Sequence, residues 1–233
     1  MPYISSSAAP PSSCSRSLAA DSQETLWEIK AFENGHQQQR FPLVVPGTTA
    51  WDLWPASLAT TAQGSWLVLD GGERGLLRFD AAWQYQGSWP QPIGGAPFDQ
   101  PTCLRRSGDE YWVVDQNNHN IRWLAADGRQ LAQFGSLGSG PGQLRFPFSL
   151  DVCAGRWVAV TDMGNYRVQR FTLDGRFLDG FEPAPVAPGV PVQLLDVAVS
   201  ADCTLLYVVD SKGNRVLVTT PTGEVRQQLG RWK

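Results

Sequence analysis

The sequence predicts an all-β protein, a β-propeller of about five four-stranded blades, and three observations carry that prediction. First, an aspartate that closes a β-rich run recurs at Asp21, Asp70, Asp115, Asp162 and Asp210, at intervals of 49, 45, 47 and 48 residues. Second, each of the last four is followed by a short polar turn and a new apolar run, such as Ile121-Arg122-Trp123-Leu124 or Val168-Gln169-Arg170-Phe171. Third, turn signals fall in register after those runs, at Asp127-Gly128, Asp174-Gly175 and Thr222-Gly223. Four strands in each period of this length make a meander with two hydrophobic faces, which only stacking against neighbouring copies can bury.

The copies are taken in chain order. Residues 1–45 give the weakest, a degraded first blade in which Ser17 to Asp21 reads as a second strand and Leu26 to Phe32 as a third, with Asn34-Gly35 as the turn. The second copy, 48–90, reads with Ala50 to Pro55 as its innermost strand and Ser65 to Asp70 as the next. The third and fourth span 98–137 and 146–182, and a proline-rich connector then leads to the fifth at 192–231. A repeat running end to end argues for one domain over 1–233.

The fourth copy is the best formed. Gly140, Gly142 and Pro147, then Asp162, Asn165, Arg167, Val168 and Phe171, then Asp174 and Gly175 follow a pattern that resembles the NHL repeat. The fifth keeps Asp210, Asn214 and Arg215, whereas the third has Asn120 and the second Gly75 where the arginine belongs. NHL-like propellers commonly have six blades, so the resemblance leaves an incomplete six-bladed ring as the alternative to five. The single Trp51-Asp52 dipeptide lacks the repeating Gly-His partner of a WD-type blade.

Composition narrows the functional classes. A net charge of −3 with only three lysines gives no overall cationic field for nucleic acid or an anionic membrane. No apolar run reaches membrane-spanning length, and the N-terminus lacks the basic start and apolar core of a signal peptide, so the expected location is cytoplasmic. Cys14, Cys103, Cys153 and Cys203 fall singly in four of the five copies without a C-x-x-C pair, which reads as buried thiols in a reducing compartment; two disulfides are the arithmetical alternative.

Candidate site residues form two sets. Laid on the inner strands, Asp52, Asp151 and Asp196 come to one position, where three carboxylates ringing the axis would suit a hard cation such as Ca2+ or Mg2+. Arg74, Arg122, Arg167 and Arg215, with His119, fall on or near the turns between second and third strands and would crowd one rim. An arginine five residues after an anchor aspartate can instead clamp it, and a feature repeated once per blade serves the fold. Trp51, Trp54 and Trp123 are available for stacking. With only His36 and His119, the chain cannot assemble a three-histidine zinc site, and it carries no G-x-S-x-G elbow, P-loop or H-E-x-x-H.

These readings favour a non-enzymatic scaffold that presents one rim and the channel mouth to a protein or peptide partner. Two alternatives stand beside it: a metal-assisted hydrolase or lactonase resembling gluconolactonase-like propellers, and RNA binding, which some NHL-like domains perform. The oligomeric state is left open.

Overall fold

A computed structural model describes residues 18–20, 27–33, 36–48, 52–72, 75–89 and 94–230. Four sheets of four antiparallel strands follow one another, each in simple meander order. Blade 2 comprises β4 (Pro55–Thr60), β5 (Trp66–Asp70), β6 (Gly75–Phe79) and β7 (Tyr85–Trp89), after a three-stranded sheet of β1 (Leu18–Ala20), β2 (Trp27–Glu33) and β3 (His36–Pro42). Blade 3 is β8 (Pro101–Ser107), β9 (Glu110–Asp115), β10 (Asn120–Leu124) and β11 (Gln130–Phe134). Blade 4 is β12 (Pro147–Cys153), β13 (Trp157–Asp162), β14 (Arg167–Thr172) and β15 (Phe177–Phe181). Blade 5 is β16 (Leu194–Val199), β17 (Leu206–Asp210), β18 (Arg215–Thr219) and β19 (Val225–Leu229). The first strands β4, β8, β12 and β16 stand side by side in that order.

The second strands explain why copies stack. In β13 all six residues, Trp157-Val-Ala-Val-Thr-Asp162, are buried, because a mid-blade strand is covered on both faces. Val158, Val160 and Phe171 pack toward Trp112, Val114 and Ile121 of blade 3, while Ala159 and Val168 pack toward Val197, Leu206 and Val208 of blade 5. Alternation along the strand sends successive side chains to opposite seams. Each such aliphatic contributes about 1.5–3 kcal/mol on burial, so the seams carry most of the stability. The seam between blades 2 and 3 is built alike, from Leu67, Leu69 and Leu76 against Leu104, Tyr111 and Val113.

Two further contacts repeat. A Cβ at Gly128, Gly175 or Gly223 would strike Trp89, Phe134 or Phe181, the last aromatic of the preceding blade. Gly175 also holds φ +87°, so the turn glycine supplies both the left-handed backbone and the close approach. Each inner strand opens opposite an anchor: Pro55 pairs with Asp70, Pro101 with Asp115, Pro147 with Asp162 and Leu194 with Asp210. Proline is tolerated there because a strand's first residue need not donate to the ladder.

Two sequence readings require correction. The inner strand of blade 2 begins at Pro55 instead of ending there, so Trp51-Asp52 lies ahead of it and Asp52 is exposed. The thiol expectation also fails: Cys153 and Cys203 form a disulfide with Cα atoms 5.7 Å apart, and Cys103 is disulfide-bonded as well. Cys153 and Cys203 are separated by 50 residues, close to one repeat, and a repeat-length spacing brings two residues together on adjacent blades. The first sheet has strands at the expected second and third positions, β1 and β2, and the expected turn at Asn34-Gly35 lies outside the described residues.

Candidate functional site: the upper face and the inner-strand wall

The face on which inner strands begin and second strands turn into third strands is organised by the anchor aspartates. Oδ1 of Asp70, Asp115, Asp162 and Asp210 accepts the backbone N–H of Trp54, Asp99, Arg145 and Gln193, just before each inner strand, at 2.5–3.0 Å. All four carboxylates are buried. Asn118 Nδ2 donates to Asp115 Oδ2 at 2.9 Å and Asn165 Nδ2 to Asp162 Oδ2 at 2.8 Å, closing the turns. The residue four beyond the anchor takes a left-handed backbone in three blades, His119 at φ 53°, Tyr166 at 59° and Asn214 at 46°.

The rim arginines are spent in this clamp. Arg167 Nε bonds Asp162 Oδ2 at 2.8 Å, and its other nitrogens donate to the carbonyls of Ser139, Gly140 and Gln143. Arg215 Nε bonds Asp210 Oδ2 at 2.9 Å and reaches the Ala184 carbonyl. Arg122, two residues further along its strand, pairs with Asp115 at 2.5 Å, donates to the carbonyls of Ala96 and Pro97, and lies over the Phe98 ring. Arg74 lies outside the described residues. His119 Nδ1 accepts the Phe146 N–H at 3.1 Å, and its ring meets Phe146 edge-on at 4.8 Å, so it too joins one blade to the next.

On the inner-strand wall the structure brings Asp151 and Asp196 together and leaves Asp52 out. Asp196 pairs across from Val209, one residue before its anchor, and Asp151 from Ala159, three before its own. The two carboxylates are therefore staggered by two residues and do not share a level. Between them lies Arg105 of blade 3, with Nε 3.4 Å from Asp151 Oδ1 and Nη2 3.9 Å from Asp196 Oδ1. Ser149 Oγ donates to Asp196 Oδ1 at 2.6 Å, and the Val199 N–H donates to Asp151 Oδ2 at 2.7 Å. Arg105 Nε also donates to the Leu150 carbonyl at 3.1 Å, and Ser57 Oγ donates to the Leu104 carbonyl at 3.4 Å. Inner-strand polar side chains thus tether each strand to the next around the wall.

Burial dominates the electrostatics of this network. It pushes the Asp151 carboxyl up from its ordinary pKa, against the opposing pull of Arg105 and of the Val199 and Val152 amides. It likewise holds the Arg105 guanidinium below its ordinary value, with Asp151 and Asp196 opposing. The residues do not fit a Ca2+ or Mg2+ ion, because the guanidinium already supplies the positive charge between the carboxylates. Among the described residues no group of three His, Cys, Asp or Glu side chains is arranged to hold a metal.

What the upper face does expose is aromatic. Trp54 is 61% exposed, Tyr166 57%, Phe146 44% and the neighbouring Leu137 59%. Trp54 and Phe146 immediately precede the prolines that open β4 and β12; the Trp54 N–H is held by Asp70 and the Phe146 N–H by His119, and both side chains are exposed. Phe146, Tyr166 and Leu137 belong to one sector: the Gly164 N–H donates to the Arg145 carbonyl at 2.8 Å, and Asn165 Nδ2 donates to the Gly138 carbonyl at 2.8 Å. Trp123 is not part of this face; it stacks on Trp112 and donates to Glu110. Trp51 lies outside the described residues. Sequence reasoning missed Phe146 and Arg145, and the usable signal was their place next to the proline opposite each anchor.

Stacked antiparallel four-stranded sheets with adjacent inner strands define a β-propeller. No family model matches the chain, so the NHL likeness is one of residue pattern. The fold is similar to that of virginiamycin B lyase from Staphylococcus aureus, solved as a catalytically inactive H270A form with quinupristin: TM-score 0.59 at 16% identity, covering 88% of this chain and 59% of that one. It is also similar to a protein of unknown function from Bacteroides caccae, with TM-score 0.62 at 12% identity, covering 91% of this chain and 72% of that one. The chain spans less than two thirds of the lyase's length, and at these identities the likeness is one of fold.

Proposed function

We propose that the protein is a non-enzymatic binding scaffold that holds a protein or peptide partner on its upper face, over the mouth of the inner-strand wall. The observation that carries this reading is the exposure of Trp54, Phe146 and Tyr166 on backbone held by hydrogen bonds to Asp70, His119 and Met163, while Arg122, Arg167 and Arg215 of the same face are committed to the anchors. Large aromatics on a pre-organised rim suit recognition, because little conformational entropy is lost when they are covered. A metal-assisted hydrolase or lactonase would draw on the wall carboxylates, which Arg105, Ser149 and backbone amides occupy. An RNA-binding rim would draw on Arg122, Arg167 and Arg215, each paired with an anchor.

The Cys153–Cys203 disulfide supports work in an oxidising compartment in place of the cytoplasm that free thiols would imply. No helix among the described residues is long and apolar enough to cross a membrane.

The test is affinity capture with the wild type and a Trp54→Ala, Phe146→Ala, Tyr166→Ala variant of unchanged melting temperature. A partner held by the first and lost from the second is the expected result; identical captured sets would overturn the reading.

A further inference from the structure

Resting on that reading, we infer that the sector of the upper face formed by blades 4 and 5 recognises an acidic peptide segment in which a carboxylate flanks an apolar side chain. Two exposed cations stand on the turns of that sector. Arg145 immediately precedes Phe146; its backbone N–H and carbonyl are fixed by Asp162 and Gly164, yet its guanidinium is exposed without a carboxylate partner among the described residues. Lys212, in the turn after anchor Asp210, is likewise exposed without one. The nearest acids of these turns, Asp162 and Asp210, are buried and already neutralised by Arg167 and Arg215. Glu182 is exposed but stands directly after β15, the outermost strand of blade 4.

The blade 3 side of that sector has the opposite sign. The exposed carboxylate of Asp99 stands ahead of the inner strand of blade 3, where it accepts from Asn117 Nδ2 at 3.0 Å. A chain of net charge −3 thus exposes cations on the turns of blades 4 and 5, with Phe146, Tyr166 and Leu137 on blade 4, and a carboxylate on the neighbouring blade 3. That asymmetry supplies charge complementarity and direction: an extended peptide seats its apolar side chain among the three exposed apolar groups and its carboxylate toward Arg145 and Lys212. Reversing the peptide would set like charges together over Asp99.

Both cations are exposed and pair with no carboxylate among the described residues, so Arg145→Glu with Lys212→Glu leaves the clamps intact and the melting temperature unchanged. The experiment selects a displayed random-peptide library on wild-type protein, then titrates a labelled enriched peptide against wild type, the double charge reversal, and Phe146→Ala with Tyr166→Ala. A labelled single-stranded RNA is titrated in parallel. The expected result is enrichment of Asp or Glu beside an apolar residue, with affinity falling about tenfold in the charge reversal and about tenfold or more on loss of the aromatics. Peptides without acidic bias that still require the aromatics would overturn this inference and leave the peptide-binding rim standing. No enrichment, or peptides indifferent to the aromatics, would overturn both. RNA binding abolished by the charge reversal would overturn the peptide in favour of the nucleic acid.

Discussion

Blades 3 and 4 solve one problem with the same residues in different places. In blade 4, Arg167 lies five residues after Asp162 and Gln169 seven after it, and both bond Asp162 Oδ2, at 2.8 and 3.0 Å. In blade 3 the amide comes first: Asn120 occupies the fifth place and Arg122 the seventh, yet Arg122 still reaches Asp115. Residues two apart on a strand share a face, so the guanidinium can move by two and keep its target. Blade 2 has Gly75 and Leu77 at these places, neither with a side-chain donor. What all four described blades keep is the carboxylate and its backbone N–H. The fold requires the acceptor, and the arginine is added where connector carbonyls also need a donor, as at Ser139, Gly140 and Gln143.

The largest expected effect tests the acceptor. Asp162→Ala strips the Arg145 N–H, Asn165, Arg167 and Gln169 of their shared partner, and leaving a largely buried guanidinium unpaired is worth about 3–5 kcal/mol of stability. Urea unfolding would show it as a lower midpoint at unchanged slope, and a loss under about 1 kcal/mol would refute the clamp. The next effect sharpens the comparison of blades. Arg122→Gln should destabilise by about 3 kcal/mol, and adding Asn120→Arg, which recreates the blade 4 order, should recover more than half. Simple additivity of the two changes would mean that the positions do not serve the same carboxylate.

How much was legible in the sequence follows the same division. Anchors, third strands and Asp-Gly turns were readable because each is a local constraint repeated once per blade, and the four full sheets lie where that period puts them. The inner strand of blade 2 was misplaced because Trp51-Asp52-Leu53 alternates like a strand, and the pairing of Pro55 with Asp70 is a relation across 15 residues that local pattern does not show. Arg105 was missed for a related reason: its partners Asp151 and Asp196 belong to the next two blades. Disulfide pairing was hidden because a spacing of one repeat looks like mere periodicity until the repeats are stacked. The aromatic rim was half visible, Trp54 by type and Phe146 only through the backbone that presents it.

The smallest effect separates the wall carboxylates from those of the turns. Asp151 is pushed above its ordinary value of 3.8, with burial the largest cause, so the folded protein binds its proton more tightly than the unfolded chain does. The sign follows: this group favours folding most below 3.8, and its contribution declines as pH rises through the elevated folded value, then levels off. Asp151→Asn removes that titration and keeps an acceptor for the Val199 N–H. The difference in melting temperature between wild type and Asp151→Asn should therefore shift against the wild type as pH climbs out of the acid range, and become constant once Asp151 is ionised. Above that range the variant lacks the carboxylate that Arg105 faces, so its remaining deficit measures how strongly blades 3 and 4 are joined through the wall. A difference flat across the whole range would mean that Asp151 titrates alike folded and unfolded, and that the wall is held by its hydrogen bonds alone.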